Sequence, residues 1–133
     1  MKSVAFRIAF SSLILGLSLC LPANATDVQN DTVVLGELDK VSGQVNTIKG
    51  RVGQAVTFGN LQIIARTCVS HPPEERPENS AFLEITQPQP KGPPKLLFSG
   101  WMFSSTPAIS AMDNAVYDVW VLRCENSVSS NAH

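Results

Sequence analysis

The sequence predicts a mainly β protein: a small antiparallel β-sandwich or partly open barrel with one short helical turn and one disulfide. Three observations carry this. Short runs of apolar and β-branched residues recur between turns rich in Gly, Pro and Asn, and several of them alternate with a period of two. No segment repeats its apolar residues at helical spacing over the length of an ordinary helix. Once an N-terminal export signal is set aside, two cysteines remain, Cys68 and Cys124, and an even pair in an exported domain reads as a disulfide.

Along the chain, Thr26 to Thr32 is polar and aperiodic and reads as a disordered leader. Val33 to Asp39 and Val41 to Ile48 read as strands joined by a turn at Asp39-Lys40. Gly43 makes the second of these short, bulged or an edge strand. Gly50, Gly53 and Gly59-Asn60 then punctuate β-branched residues in the manner of successive strands and tight turns. From Leu61 the alternation is clear, with Leu61, Ile63, Ala65, Thr67 and Val69 on one face and Gln62, Ile64, Arg66 and Cys68 on the other. Ser70 to Ser80 carries three prolines among charged residues and is a surface loop.

Ala81 to Thr86 is the next strand, and the Pro-rich QPQPKGPPK segment lies outside any sheet centre because proline has no N–H for a ladder. Leu96 to Phe103 (LLFSGWMF) is apolar on both faces, the pattern of a central strand buried on each side. Thr106-Pro107 reads as a helix start, hydroxyl cap followed by proline, continuing for about two turns to Asn114. Val116 to Cys124 is the last strand, and the segment after it frays.

The compartment is read from the first residues. Lys2 and Arg7 are the only charges before Asp27, an apolar run extends from Ile8 to Leu21, and Ala23-Asn24-Ala25 supplies small residues at −3 and −1 of a cleavage site. These are the parts of a cleavable secretory signal, too short to span a bilayer, which takes about 20 apolar residues. A lipid-anchored form through Cys20 competes, but Leu19 stands where a lipoprotein box wants a small residue, and cleavage after Ala25 discards Cys20. The expected organisation is a signal over 1–25, the leader over 26–32, one β domain over 33–125 and a disordered tail over 126–133. Removal of Lys2 and Arg7 leaves eight basic and eleven acidic residues, a formal charge of −3. That balance offers no footprint for nucleic acid or an anionic membrane surface, and the processed chain is not transmembrane.

Two long stretches, FGNLQIIARTCVSHPPEERPENSAFLEI and FSGWMFSSTPAISAMDNAVYDVWVLRC, carry a resemblance. They follow the pattern of a cysteine, a Pro/Glu loop, a strand, F-S-G-W-M-F, a Ser/Pro/Ala turn and V-Y-D-V-W-V-L-x-C. This is similar to the DUF2155 domain family of small exported alphaproteobacterial proteins and covers roughly Val33 to Cys124. The resemblance implies an envelope protein. The family has no established activity, so it transfers no catalytic residue.

The candidate residues each have two readings. Trp101, Tyr117 and Trp120 are a platform for a sugar ring or peptide, or they are core. Tyr117 points opposite to Trp120, and three aromatics split over two faces favour core. His71, Glu74 and Glu75, with Arg76 and Glu78, are a metal or acid–base cluster, or a solvated contact loop. Cys68-x-x-His71 has a ligand-like spacing, but Cys68 is taken by the disulfide. Ser104, Ser105 and Thr106 lack the surroundings of a hydrolase nucleophile and read as helix capping. Asp118, inside an apolar strand, either faces solvent, pairs with Arg66 or Arg123, or is the polar group of a binding groove. No catalytic residue, metal or cofactor is called for. The expected function is a non-enzymatic periplasmic module that binds a protein partner or supports envelope assembly. A carbohydrate- or peptidoglycan-binding domain is the alternative, and an envelope hydrolase the third.

Overall fold

A computed structural model describes residues 20–22 and 26–127. The expected signal peptide and its expected cleavage site therefore fall outside the described residues, apart from Cys20, Leu21 and Pro22. Eight strands run in the order β1 (Val28–Gln29), β2 (Thr32–Asp39), β3 (Gln44–Arg51), β4 (Ala55–Phe58), β5 (Leu61–Ser70), β6 (Asn79–Gln87), β7 (Lys95–Phe103) and β8 (Tyr117–Glu125). They form two antiparallel sheets, β1-β5-β6-β7 with β4 also on β5, and β3-β2-β8. The architecture is a sandwich and not a closed barrel.

The core lies between the sheets, because alternate residues of each strand point inward. Val33 and Leu35 of β2 and Val119 and Val121 of β8 meet Leu61, Ile63 and Ala65 of β5 and Ala81, Leu83 and Ile85 of β6. Cys68 and Cys124 are bonded with their Cα atoms 5.7 Å apart, which fastens β5 of one sheet to β8 of the other. The alternation of β5 changes phase at a bulge between Ala65 and Thr67. One extra residue there puts Cys68 on the buried side, where an uninterrupted period of two places it opposite to Leu61 and Ile63.

The turns follow their side chains. Asp39 Oδ1 accepts the backbone N–H groups of Val41 and Ser42, and Gly43 closes the β2–β3 connection with φ of 72°. Gly43 thus belongs to the turn, and β3 beyond it is a regular edge strand. Gly50 lies within β3 and marks no turn. Gly59-Asn60 is a two-residue hairpin between β4 and β5; Gly59 has φ of 56°, and any side chain there would overlap the Tyr117 phenol.

Four expectations are corrected. The leader is not disordered throughout: Val28 and Gln29 pair with Ser70 and Val69, and the Asn30 N–H donates to the Cys68 carbonyl at 2.9 Å. Its polar side chains replace water at the edge of β5, with Asn30 Nδ2 donating to Ser70 Oγ. The tail is fastened at its start, where Ser127 donates from its N–H and its hydroxyl to the Asp31 carboxylate, each at 2.6 Å. Residues 128–133 lie outside the described residues. The helix expected after Thr106 is a single turn, closed by the Ile109 N–H on the Thr106 carbonyl at 3.1 Å, and no helix occurs among the described residues. Burial of Met112 in the core draws the chain inward before a second turn can form. Finally, the LLFSGWMF run is an edge strand, hydrogen-bonded to β6 alone.

Candidate functional site

The aromatic residues separate onto three surfaces. Tyr117 points inward and stacks edge-on against Phe58, with ring centroids 5.0 Å apart. It is the one candidate aromatic packed against the main core. Trp120 faces the other way, out of the three-stranded sheet, and lies across Gly36, its register partner on β2. A side chain at Gly36 would overlap the indole, so this glycine is the seat of the ring. Trp101 faces out of the five-stranded sheet beside its partner Phe82, perpendicular to it at 5.7 Å, and is 42% exposed. The expectation that both tryptophans are core is corrected for Trp101 in full. For Trp120, burial against Gly36 on an outer sheet face replaces core packing. β7 has no neighbour beyond it to cover Trp101, which is why the apolar pattern misled.

Asp118 stands half-exposed on the same outer face as Trp120, and its Oδ1 accepts the Val119 N–H at 3.0 Å. Neither expected arginine reaches it. Arg66 donates to Glu84 at 2.8 Å across β5 and β6, and Arg123 to Glu125 at 3.1 Å. Each arginine finds its carboxylate in its own sheet, so Asp118 is the exposed residue of the alternatives.

The Pro/Glu loop between β5 and β6 divides its charges. His71 has its Nδ1 3.2 Å from the Arg76 carbonyl and 3.7 Å from Glu75, while its Nε2 is 3.9 Å from Asp27. Glu74 and Glu75 are exposed, and among the described residues no three His, Cys, Asp or Glu side chains converge as metal ligands do. Glu78 has a different part. Its carboxylate accepts the Asn79 and Ser105 N–H groups and the hydroxyls of Ser104 and Ser105. Partial burial pushes the other way, but these hydrogen bonds from Ser105, Ser104 and Asn79 hold the carboxyl below its ordinary range. The serines expected to cap a helix are instead clamped by Glu78 onto the start of β6. Nothing local in the sequence distinguishes Glu78 from Glu74 and Glu75; the difference is the arrival of residues 104 and 105.

Two further features escaped the sequence. Glu37, one residue beyond Gly36 on β2, points into the sandwich and is only 1% exposed. Its Oε1 is buried with no hydrogen-bond partner, and burial pushes its carboxyl up to about 7. The alternation of Val33, Leu35 and Glu37 was the available signal, since it places Glu37 on the core face. At the opposite end of β2, Thr32, Lys49, Glu125, Asn126 and Ser127 line a pocket of about 390 Å³. Its one ammonium, on Lys49, is paired with Glu125. Beside it Asp31 is pulled down to about 2 by the Ser127 hydroxyl and N–H, with Thr32 and Arg51 adding to the effect.

The fold and these surfaces define a disulfide-fastened, two-sheet β module with Trp101 exposed on one outer sheet face and Trp120 half-buried on the other. Residues 33–124 match the model of the family described as "Uncharacterized protein conserved in bacteria (DUF2155)", and the chain belongs to that family. It is also similar to the "Uncharacterized protein RP359" of Rickettsia prowazekii (strain Madrid E), at 28% identity over 87 residues. That match covers 65% of this chain and 56% of the relative, so the chain spans little more than half the relative's length. No solved structure matches.

Proposed function

We propose that this chain is an exported, non-enzymatic module of the bacterial envelope that binds a protein partner through the outer face of its five-stranded sheet. The carrying observation is Trp101, 42% exposed and braced by Phe82, with Ser99 beside it on β7 and the Arg66–Glu84 pair across the face. An exposed indole braced by a second ring, with polar groups around it, is the composition of a protein-binding hot spot. The Cys68–Cys124 bond and the absence of any membrane-crossing helix among the described residues are compatible with export. His71, Glu74 and Glu75 lie in the Pro/Glu loop between β5 and β6.

A photo-crosslinking residue at Thr67, adjacent to Phe82 on this face, is expected to trap a discrete heavier product in living cells. Trp101→Ala is expected to abolish that product while the protein stays folded. Persistence of the product in the variant would refute the reading. A second reading, carbohydrate or peptidoglycan binding, is favoured by the same exposure of Trp101, because one indole face can stack on a sugar ring. Co-sedimentation with purified peptidoglycan, lost in Trp101→Ala, would establish that reading instead.

A further inference from the structure

The LLFSGWMF run of β7 has the composition of a strand covered on every side, yet it ends its sheet. Every other edge of the two sheets is protected. β1 has two residues and β4 has four. β3 presents Asn46, Thr47, Lys49 and Arg51, largely exposed and polar. β8 carries Asp118, Arg123 and Glu125, is bulged against β2, and has its Cys124 N–H taken by the Asn79 side chain at 2.9 Å. Charges, bulges and brevity are the devices by which proteins prevent edge-to-edge pairing. From Leu96 to Phe103, β7 has no charge and no proline, and its single irregularity lies near its start, opposite Ile85/Thr86. Beyond Phe103, the connection to β8 makes no backbone hydrogen bond to β7 except the Thr106 N–H on the Phe103 carbonyl.

We propose that β7 pairs antiparallel with β7 of a second copy of this chain, about a two-fold axis at Ser99. The inference goes beyond the partner reading above, because it concerns main-chain pairing at the sheet edge and not the side chains of the outer face. An unprotected edge cannot discriminate against its own copy, and this edge is complementary to itself. Antiparallel pairing sends the two Lys95 charges to opposite ends and leaves only uncharged residues between them. With Ser99 at the axis, Phe98 of each copy stands beside Gly100 of the other. Within one copy the Phe98 ring already leans over Gly100, so the two copies bring both rings and both glycines together about the axis. The interface is isologous and closes after two copies. It joins the two five-stranded sheets into one and places both Trp101 rings on a single continuous face, so that a partner is met by two sites at once.

Sedimentation equilibrium of the exported protein tests this, with a dimer expected. Ser99→Lys sets like charges directly opposite one another and is expected to give a folded monomer. Ser99→Cys, in a chain also carrying Cys20→Ser, is expected to form a dimer linked through residue 99 on mild oxidation, because directly opposed strand residues have their Cα atoms about 4.5–5.5 Å apart. A Thr47→Cys control on β3 is expected to stay unlinked. A wild-type monomer at every concentration, a dimer unaffected by Ser99→Lys, or a dimer that Ser99→Cys fails to link would each overturn the proposal. So would a crosslinker at Ser99 that captures a different polypeptide and never a second copy. A dimer whose Thr67 crosslink survives Trp101→Ala would refute the partner reading and leave this one standing.

Discussion

Glu37 is the residue whose placement departs furthest from its chemistry. A carboxyl 1% exposed, with a buried oxygen lacking a partner, is penalised in its charged form. Its folded pKa is raised from 4.5 to about 7, so the folded state holds its proton more tightly than the unfolded chain. The carboxyl therefore costs nothing through ionisation below the unfolded value, and stability declines as pH rises from about 4.5 to about 7. Above that window the penalty is complete, at about 3 kcal/mol. Glu37→Gln keeps the shape and cannot ionise. Urea unfolding at pH 5 and pH 8 is expected to show a smaller loss of stability on going to pH 8 in the variant than in wild type. Equal pH dependence of the two proteins would show that Glu37 stays ionised and solvated.

Between strands, the same residue type has unequal worth, and sheet position decides it. Leu83 is fully buried on β6, with strands on both sides of it and the second sheet opposite. Leu83→Ala is expected to cost about 2–5 kcal/mol. Trp101 is larger, but on the edge strand it packs mainly on Phe82, so Trp101→Ala is expected to cost about 1 kcal/mol, mostly from the lost ring pair. Chemical denaturation of the two variants checks the order, and a Trp101 variant as unstable as the Leu83 one would restore the core reading. Thr106→Ala, by contrast, has no helix cap to lose, because the segment after it is one turn and not a helix. Its neighbours Ser104 and Ser105 matter through Glu78, a long-range clamp 27 residues away from Ser105.

For the molecule as a whole, the Cys68–Cys124 bond is the strongest single constraint. It closes a chain separation of 56 residues and links the two sheets, so its loss frees both the loop and the docking of one layer on the other. In the loop-entropy account its removal costs roughly 4 kcal/mol, a large share of a stability of about 5–15 kcal/mol. Reduced protein, or Cys68→Ala with Cys124→Ala, is expected to unfold at markedly lower denaturant concentration. Reaction of either thiol with maleimide in native, unreduced protein would contradict the bonded state. Asn79 reinforces the same end: its backbone belongs to one sheet, while its side chain accepts the Cys124 N–H of the other.

The sequence by itself determined the fold class, the cysteine pair, the β2–β3 turn at Asp39-Lys40 and the Gly59-Asn60 hairpin. Each of these rests on a local rule: a period of two, the φ freedom of glycine, the side-chain hydrogen bonds of aspartate, the even cysteine count. Only the tertiary structure decided which strand is central and which is an edge, because LLFSGWMF reads the same in either place. Neighbours, absent from a one-dimensional pattern, exposed Trp101, seated Trp120 on Gly36 and gave Glu78 alone of the loop acids its two serines. Bulges decided the rest. A single extra residue between Ala65 and Thr67 inverts every face assignment after it, and no residue type in that strand marks where the insertion falls.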